Sequence, residues 1–388
     1  MRVLLFWTSV CQAGWTLIGY PLSLLLLPAR PWRRCDDTPP VTILMAAYYE
    51  AEELRGKLEA LHRLDYPRDR LQVIVVSDGN PDLIAVAEDA YPAVKAILMP
   101  DRGGKPRGFN HAMAHATGEV IVLTDANNVL DPGCVRAAVR HFGDPSIVAV
   151  AGTPGESGSA YDAYESLLQR LESRSGSVAG MSGGLCAVRR DKLPRLEDYA
   201  NEDLWLLCHL VREGGRVIHD PEVFSMEPML DPAKEYRRRS RLGAGRMVLL
   251  SELAGLPAGY RWRLISHKVA RLVLPFSLVS ALVTSVALAR RPLYAVLAGA
   301  QLLSYGLGAL SLAGRRPPGP TGRLAQASGE RADTVPDEVL RYRQFQIWRE
   351  LIRRWDRRTP LPIGLPQGGM GAVPGSGQAE APDQGAGA

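Results

Sequence analysis

Asp125-Ala126-Asn127 closes the apolar run Val120-Ile121-Val122-Leu123-Thr124, and its residue types suit a divalent cation. A carboxylate just past the carboxyl end of a buried strand lies where open α/β sheets keep their ligands. A hard cation held there can in turn hold a diphosphate. Asn127 stands where a second Asp would complete a D-x-D pair. Its amide oxygen still serves as a metal ligand but brings one negative charge fewer, so weaker metal affinity is expected. Upstream, Lys105 follows Gly103-Gly104. It reads either as a cation that approaches a diphosphate closely or as a solvated loop lysine. Glu202-Asp203 opens an apolar helical stretch, where an acidic pair commonly serves only the helix N-terminus. His219, in Val217-Ile218-His219-Asp220-Pro221, reads as a packing histidine, with metal ligation as the rival.

Elements of two kinds must position these residues. Val41–Met45, Val73–Ser77, Ala96–Met99 and Val120–Thr124 are short β-rich apolar runs. Ala51–Leu61, Asp82–Ala90 and Gly108–Ala116 fall between them as helical stretches. Strands alternating with helices predict an α/β, mainly parallel, Rossmann-like sheet over residues 40 to about 255.

The 388-residue chain carries a net charge of +5, and its arginines cluster beside apolar segments. That pattern favours a membrane surface over nucleic acid as electrostatic partner. The five cysteines form no C-x-x-C pair, so neither a disulfide framework nor a zinc site is indicated. Residues 3–29 carry no charge and are long enough to span a bilayer, which needs about 20 apolar residues. A cleaved signal peptide is the rival, disfavoured by the length of the run and by Leu27-Pro28-Ala29 as a cleavage site. Arg30, Arg33 and Arg34 follow, which places the middle of the chain in the cytosol. Leu272–Ala289 and Pro292–Gly314 are likewise uncharged and form a predicted hairpin turning at Arg290-Arg291. Residues 336–358 read as a basic amphipathic helix. From residue 360 a Gly/Pro-rich tail reads as disordered.

Four stations in the middle of the chain resemble, in order, the family-2 glycosyltransferases of GT-A fold. Ile43-Leu44-Met45-Ala46-Ala47-Tyr48-Tyr49-Glu50 is similar to the family's opening I-x-I-P-A-Y-N-E, with Ala46 for Pro and Tyr49 for Asn. Leu64-Asp65-Tyr66-Pro67 and Val75-Val76-Ser77-Asp78-Gly79-Asn80 resemble L-D-Y-P and V-V-D-D-G-S, with Ser77 for the first Asp. Gly104-Lys105 through Asn110 to Asp125 resembles G-K-x-x-x-L-N and the acidic motif. Gly180 to Arg190 and Glu202-Asp203 resemble G-x-x-G-x-x-x-A-x-R-R and E-D. Arg238 and Arg241 fall where processive members carry Q-x-x-R-W, but the Gln and Trp are missing.

The resemblance implies roles residue by residue. Asp203 is the expected general base, with Glu202 the runner-up. Glu50, Asp78, Lys105, Asp125, Arg238 and Arg241 are expected at the donor, and Asp125 with Asn127 at a Mg²⁺ or Mn²⁺ ion. The implied protein is a multi-pass enzyme of the cell membrane with a cytosolic catalytic domain. It moves a hexose with inversion from a nucleotide-sugar, expected to be a UDP-sugar, to a lipid-linked saccharide or glycolipid, and takes no nucleic acid. A polysaccharide synthase subunit and a nucleotide-sugar-binding membrane protein without turnover are the alternatives.

Overall fold

The structure is a computed structural model and describes residues 1–48, 51–155, 160–196, 202–226 and 252–312. Glu50, Arg238 and Arg241 lie outside the described residues, as do the basic helix at 336–358 and the tail from 360.

An eight-stranded sheet has the spatial order β3-β2-β1-β4-β7-β6-β8-β5. Its strands are β1 (Val41–Ala47), β2 (Leu71–Asp78), β3 (Lys95–Met99), β4 (Val120–Asp125), β5 (Val129–Leu130), β6 (Ile147–Gly155), β7 (Leu185–Arg189) and β8 (Arg216–Met226). β1 pairs parallel with both β2 and β4, and β2 pairs parallel with β3. β7 runs antiparallel between β4 and β6, while β6 and β8 pair parallel. β4 is buried from Val120 to Thr124 and emerges only at Asp125. Its unbroken apolar run is what burial on both faces demands.

Helices cover both faces. On one lie α2 (Ala51–Leu61), α3 (Asp82–Ala90) and α5 (Cys134–Val139). Leu54, Leu58, Leu61, Leu83 and Val135 form one core there with Ile43, Val75 and Val122. α4 (Gly104–Met113) and α7 (Glu202–Arg212) cover the other. Phe109, Leu204, Leu207 and Leu210 pack there on Leu44, Ile74, Ile121 and Cys186. Fully burying each such side chain stabilises the fold by about 1.5–3 kcal/mol. The helix expected over Gly108–Ala116 starts one turn earlier. Gly104 adopts φ of 78°, a conformation open to glycine, and turns the chain so that Lys105 falls in the first helical turn.

α1 (Arg2–Leu26) and α8 (Ala258–Ala287) are long and apolar enough to cross a membrane. α9 (Pro292–Leu312) adds 21 residues without a charged side chain. α8 starts well before the Leu272 expected from the uncharged run, because the described structure gives its early polar groups partners on α6 (Ala160–Ser175). Arg263 donates to the carbonyls of Glu172 and Ser177 at 2.8 and 3.1 Å. His267 Nδ1 lies 2.8 Å from Glu172 Oε1, and Arg271 pairs with Glu165. Tyr20 of α1 donates to the same Glu172 Oε1 at 2.5 Å.

These contacts orient the two long apolar helices. β6 ends at the carboxyl edge of the parallel strands, and α6 returns from there to the amino edge, where Val178 bonds Val217 near the start of β8. α8 passes Glu172 first and Glu165 afterwards, so it climbs towards the carboxyl edge and leaves the domain there.

Candidate active site

Three strand and helix ends meet at that carboxyl edge. Asp78 ends β2 and is buried. Its Oδ1 accepts the Gly103 N–H at 2.7 Å and its Oδ2 the Gly104 N–H at 2.9 Å. Asp78 therefore holds the glycine loop that leads into α4, in addition to its expected place beside a nucleoside. The loop aims Lys105 across the edge at Asp125, whose Oδ1 lies 2.6 Å from Nζ. The same Nζ donates to the Gly183 carbonyl at 3.0 Å and lies 3.8 Å from Glu202 Oε1. Burial works against this ammonium, but the carboxylates of Asp125, Glu202 and Asp203 outweigh it and hold its pKa above the ordinary lysine value.

Asp203 sits one residue into α7, against the backbone of Gly183. A Cβ at Gly183 would overlap the Asp203 carboxylate, so a side chain there displaces it. Lys105, Phe109, Leu123, Gly183, Cys186, Glu202 and Asp203 line a common recess. Burial pushes the Cys186 thiol above its ordinary pKa, which keeps it neutral and a poor nucleophile.

The sequence-predicted Asp78, Lys105, Asp125, Glu202 and Asp203 thus converge on one edge. Asn127 follows Asp125 in the turn and is partly exposed. Among the described residues no group of three or more His, Cys, Asp or Glu side chains forms a ready metal cage. The donor set suits a hard cation that takes further ligands from diphosphate and water, as Mg²⁺ does. Three carboxylates act on a single ammonium here, and the nearby Asn127 offers an amide oxygen.

Two residues beneath the turn escaped the sequence reading. Lys57 of α2 is fully buried. Its Nζ donates to Thr124 Oγ1 at 2.8 Å, the Asp125 carbonyl at 2.6 Å and the Asn128 carbonyl at 3.0 Å, and also to Asn128 Oδ1. Asn128 Nδ2 in turn donates to the Gly184 carbonyl. This ammonium pins the Asp125–Asn128 turn from below and ties it to the Gly183-Gly184 segment under Asp203. The signal was present in the spacing. Lys57 falls on the helical stripe Leu54, Leu58 and Leu61, where a charged residue is buried only if its protons are all used. Asn128 carried no such signal. His219 is buried on β8, with its backbone N–H on Ser173 Oγ at 2.8 Å.

The comparisons agree with this architecture. A sequence profile described as Glycosyl transferase family 2 matches residues 42–196, and one described as Glycosyl transferase family group 2 matches residues 120–309. A Probable glycosyltransferase YdaM of Bacillus subtilis is 33% identical over 105 residues, 25% of each chain. A Poly-beta-1,6-N-acetyl-D-glucosamine synthase of Staphylococcus aureus is 22% identical over 214 residues, 50% of this chain and 51% of the synthase. The chain therefore spans from a quarter to about half the length of these curated relatives. Among solved structures, the mannosyltransferase PcManGT of Pyrobaculum calidifontis, in complex with GDP-Man and Mn²⁺, superposes with a TM-score of 0.70. It is 21% identical, and the match covers 92% of this chain and 100% of that one. Ordered motifs, sheet topology and profile matches running together from residue 42 to 309 make this chain a member of the family-2 glycosyltransferases, built on the GT-A fold.

Proposed function

We propose that the protein transfers a sugar, with inversion, from a nucleotide-sugar to a membrane-associated acceptor. The observation that carries this reading is the Asp203 carboxylate seated on Gly183 beside the Lys105–Asp125 pair. A base for the acceptor and a cation for the departing diphosphate thereby share one recess. Asp203 takes the proton from an acceptor hydroxyl, which is otherwise a poor nucleophile. The hydroxyl oxygen forms its bond to the anomeric carbon while the bond from that carbon to the diphosphate oxygen breaks. The nucleoside diphosphate leaves with the electron pair. Lys105 stands ready to neutralise that charge, and Asp78 holds the loop that carries it. Asp125 and Asn127 would hold a Mg²⁺ or Mn²⁺ ion, which when bound supplies Lewis-acid charge to the diphosphate. The Mn²⁺ of the mannosyltransferase structure is consistent with that assignment.

A UDP-sugar is the proposed donor. The mannosyltransferase complex with GDP-Man makes GDP-mannose the first alternative to include beside it. α1, α8 and α9 are proposed to span the cell membrane with the sheet on the cytosolic side, as the arginines at 30, 33 and 34 indicate. The exit of α8 from the domain at the carboxyl edge supports a recess that faces the bilayer and a lipid-linked saccharide or glycolipid acceptor. The staphylococcal relative supports a second reading, a subunit of a polysaccharide synthase.

The test is a screen of UDP- and GDP-sugars with membrane extracts and Mn²⁺ or Mg²⁺, reading transferred label by mass spectrometry. Transfer of a single residue supports the first reading and a growing ladder the second. Donor binding without any turnover in the wild-type protein sinks both.

A further inference from the structure

A second cavity of about 530 Å³ opens far from the recess, at the amino-edge side of β8. Its walls come from four stretches distant in sequence: residues 29–34, Arg140-His141, Arg170 to Arg174 of α6, and His219 to Glu222. The Arg30 N–H donates to the Arg174 carbonyl at 2.7 Å and closes one wall. Five guanidinium groups line the cavity against two carboxylates, Asp220 and Glu222.

Both carboxylates are already engaged. Arg140 Nη2 lies 2.7 Å from Asp220 and 2.8 Å from Glu222, and His141 Nε2 lies 2.5 Å from Asp220. Among the described residues Arg30, Arg34, Arg170 and Arg174 have no carboxylate partner, and all four are exposed. Two residues of the cavity wall also carry buried nitrogens without a hydrogen-bond partner among the described residues, His219 Nδ1 and Arg140 Nε. The local field is positive enough to act on a neighbour. Burial, reinforced by the charges of Arg30 and Arg263, holds the Arg216 guanidinium below its ordinary pKa despite Asp144.

We propose that this cavity is a binding site for a phosphate group, separate from the donor recess. Guanidinium forks match the paired oxygens of a phosphate and bind it through charge-assisted hydrogen bonds. The volume suits a small phosphorylated molecule. The phosphate has two sources, a soluble phosphate ester or an anionic lipid headgroup. The cavity lies towards the amino edge, while α8 leaves the domain at the opposite edge. α1 ends at Leu26, just before Arg30, so either source reaches the cavity and the test separates them.

The test uses the full chain in neutral detergent. Inorganic phosphate is titrated against chloride at constant ionic strength, with thermal unfolding and calorimetry as readouts. Stabilisation and binding that persist in Lys105→Ala, and weaken by about tenfold in the Arg170→Gln/Arg174→Gln double variant, support the site. A parallel arm measures retention of phosphatidylglycerol against phosphatidylcholine by native mass spectrometry. Selective retention of phosphatidylglycerol that depends on the same arginines and resists millimolar phosphate assigns the lipid source. Displacement by phosphate, or no selective retention, assigns the soluble one. Because all four arginines are exposed, Arg30→Gln/Arg34→Gln serves as an independent second variant. The proposal fails if phosphate binding disappears in Lys105→Ala, or if neither arginine pair changes binding of phosphate or phosphatidylglycerol. Sugar transfer is assayed separately, so a failed phosphate site leaves the proposed activity untouched.

Discussion

Two clusters of partly or fully buried charge, one at the carboxyl edge of the sheet and one between α6 and α8, are built to opposite ends. Around Lys105, three carboxylates act on one ammonium, and the Asp125 and Glu202 side chains keep 39% and 25% of their surface exposed. Around Glu172, a fully buried carboxylate accepts from Tyr20, His267 and the Ala179 N–H. A His267 ring that donates to Glu172 and, at 3.2 Å, to Glu165 is cationic. The first cluster is negative and open, the second closed and saturated. Unbalanced charge at a concave edge marks a place for a ligand, whereas balanced buried charge joins structural parts.

The sharpest way to break that comparison is Asp203→Asn. Transfer is expected to fall roughly 10²- to 10⁴-fold, with nucleotide binding and unfolding temperature unchanged. An unaltered turnover rate would remove Asp203 from the role of base. Glu172→Ala should behave the other way, losing about 3–5 kcal/mol of stability because its cationic and hydroxyl partners stay buried without it. Burial opposes the Glu172 charge, but His267 first and then Tyr20 and the Ala179 N–H hold its pKa below 4.5. A depressed carboxylate stabilises above its unfolded pKa. The gap between wild type and variant should therefore be complete above about pH 4.5 and shrink as pH falls below it. Thermal unfolding in detergent across pH 3–7 measures this, and a gap that widens on acidification contradicts it.

Lys57→Met probes the support of the open cluster. The metal concentration for half-maximal transfer should rise about 10- to 100-fold, as when groups orienting metal ligands are lost. A lower unfolding temperature with unchanged metal dependence would make Lys57 a packing residue only. The smallest effect is expected from Asn127→Asp, which restores a negative ligand and should tighten metal roughly a few-fold. Equal or weaker metal binding in that variant would remove Asn127 from the coordination sphere.

The open cluster was largely legible in the sequence, since strand-end carboxylates and the glycine–lysine step announce themselves locally. Asp125, Lys105 and Asp203 needed only their order along the chain. The closed cluster was not legible. Arg263 and His267 precede the uncharged run expected from Leu272, and their inclusion in α8 depends on Glu172, more than ninety residues away. The antiparallel insertion of β7 between β4 and β6 is equally non-local. An isolated apolar pentapeptide does not encode its neighbours or their direction. The second cavity escaped for the same reason, its walls being drawn from four separate stretches.

The direction of α8 has a consequence for how an acceptor is found. If, as proposed, that helix enters the bilayer on the recess side, a lipid-borne acceptor would meet the recess by diffusion in two dimensions. Tethering of both partners to one surface raises their effective concentration towards the millimolar range. Weak intrinsic recognition of the acceptor is then sufficient, and fast release of the lengthened product follows from it.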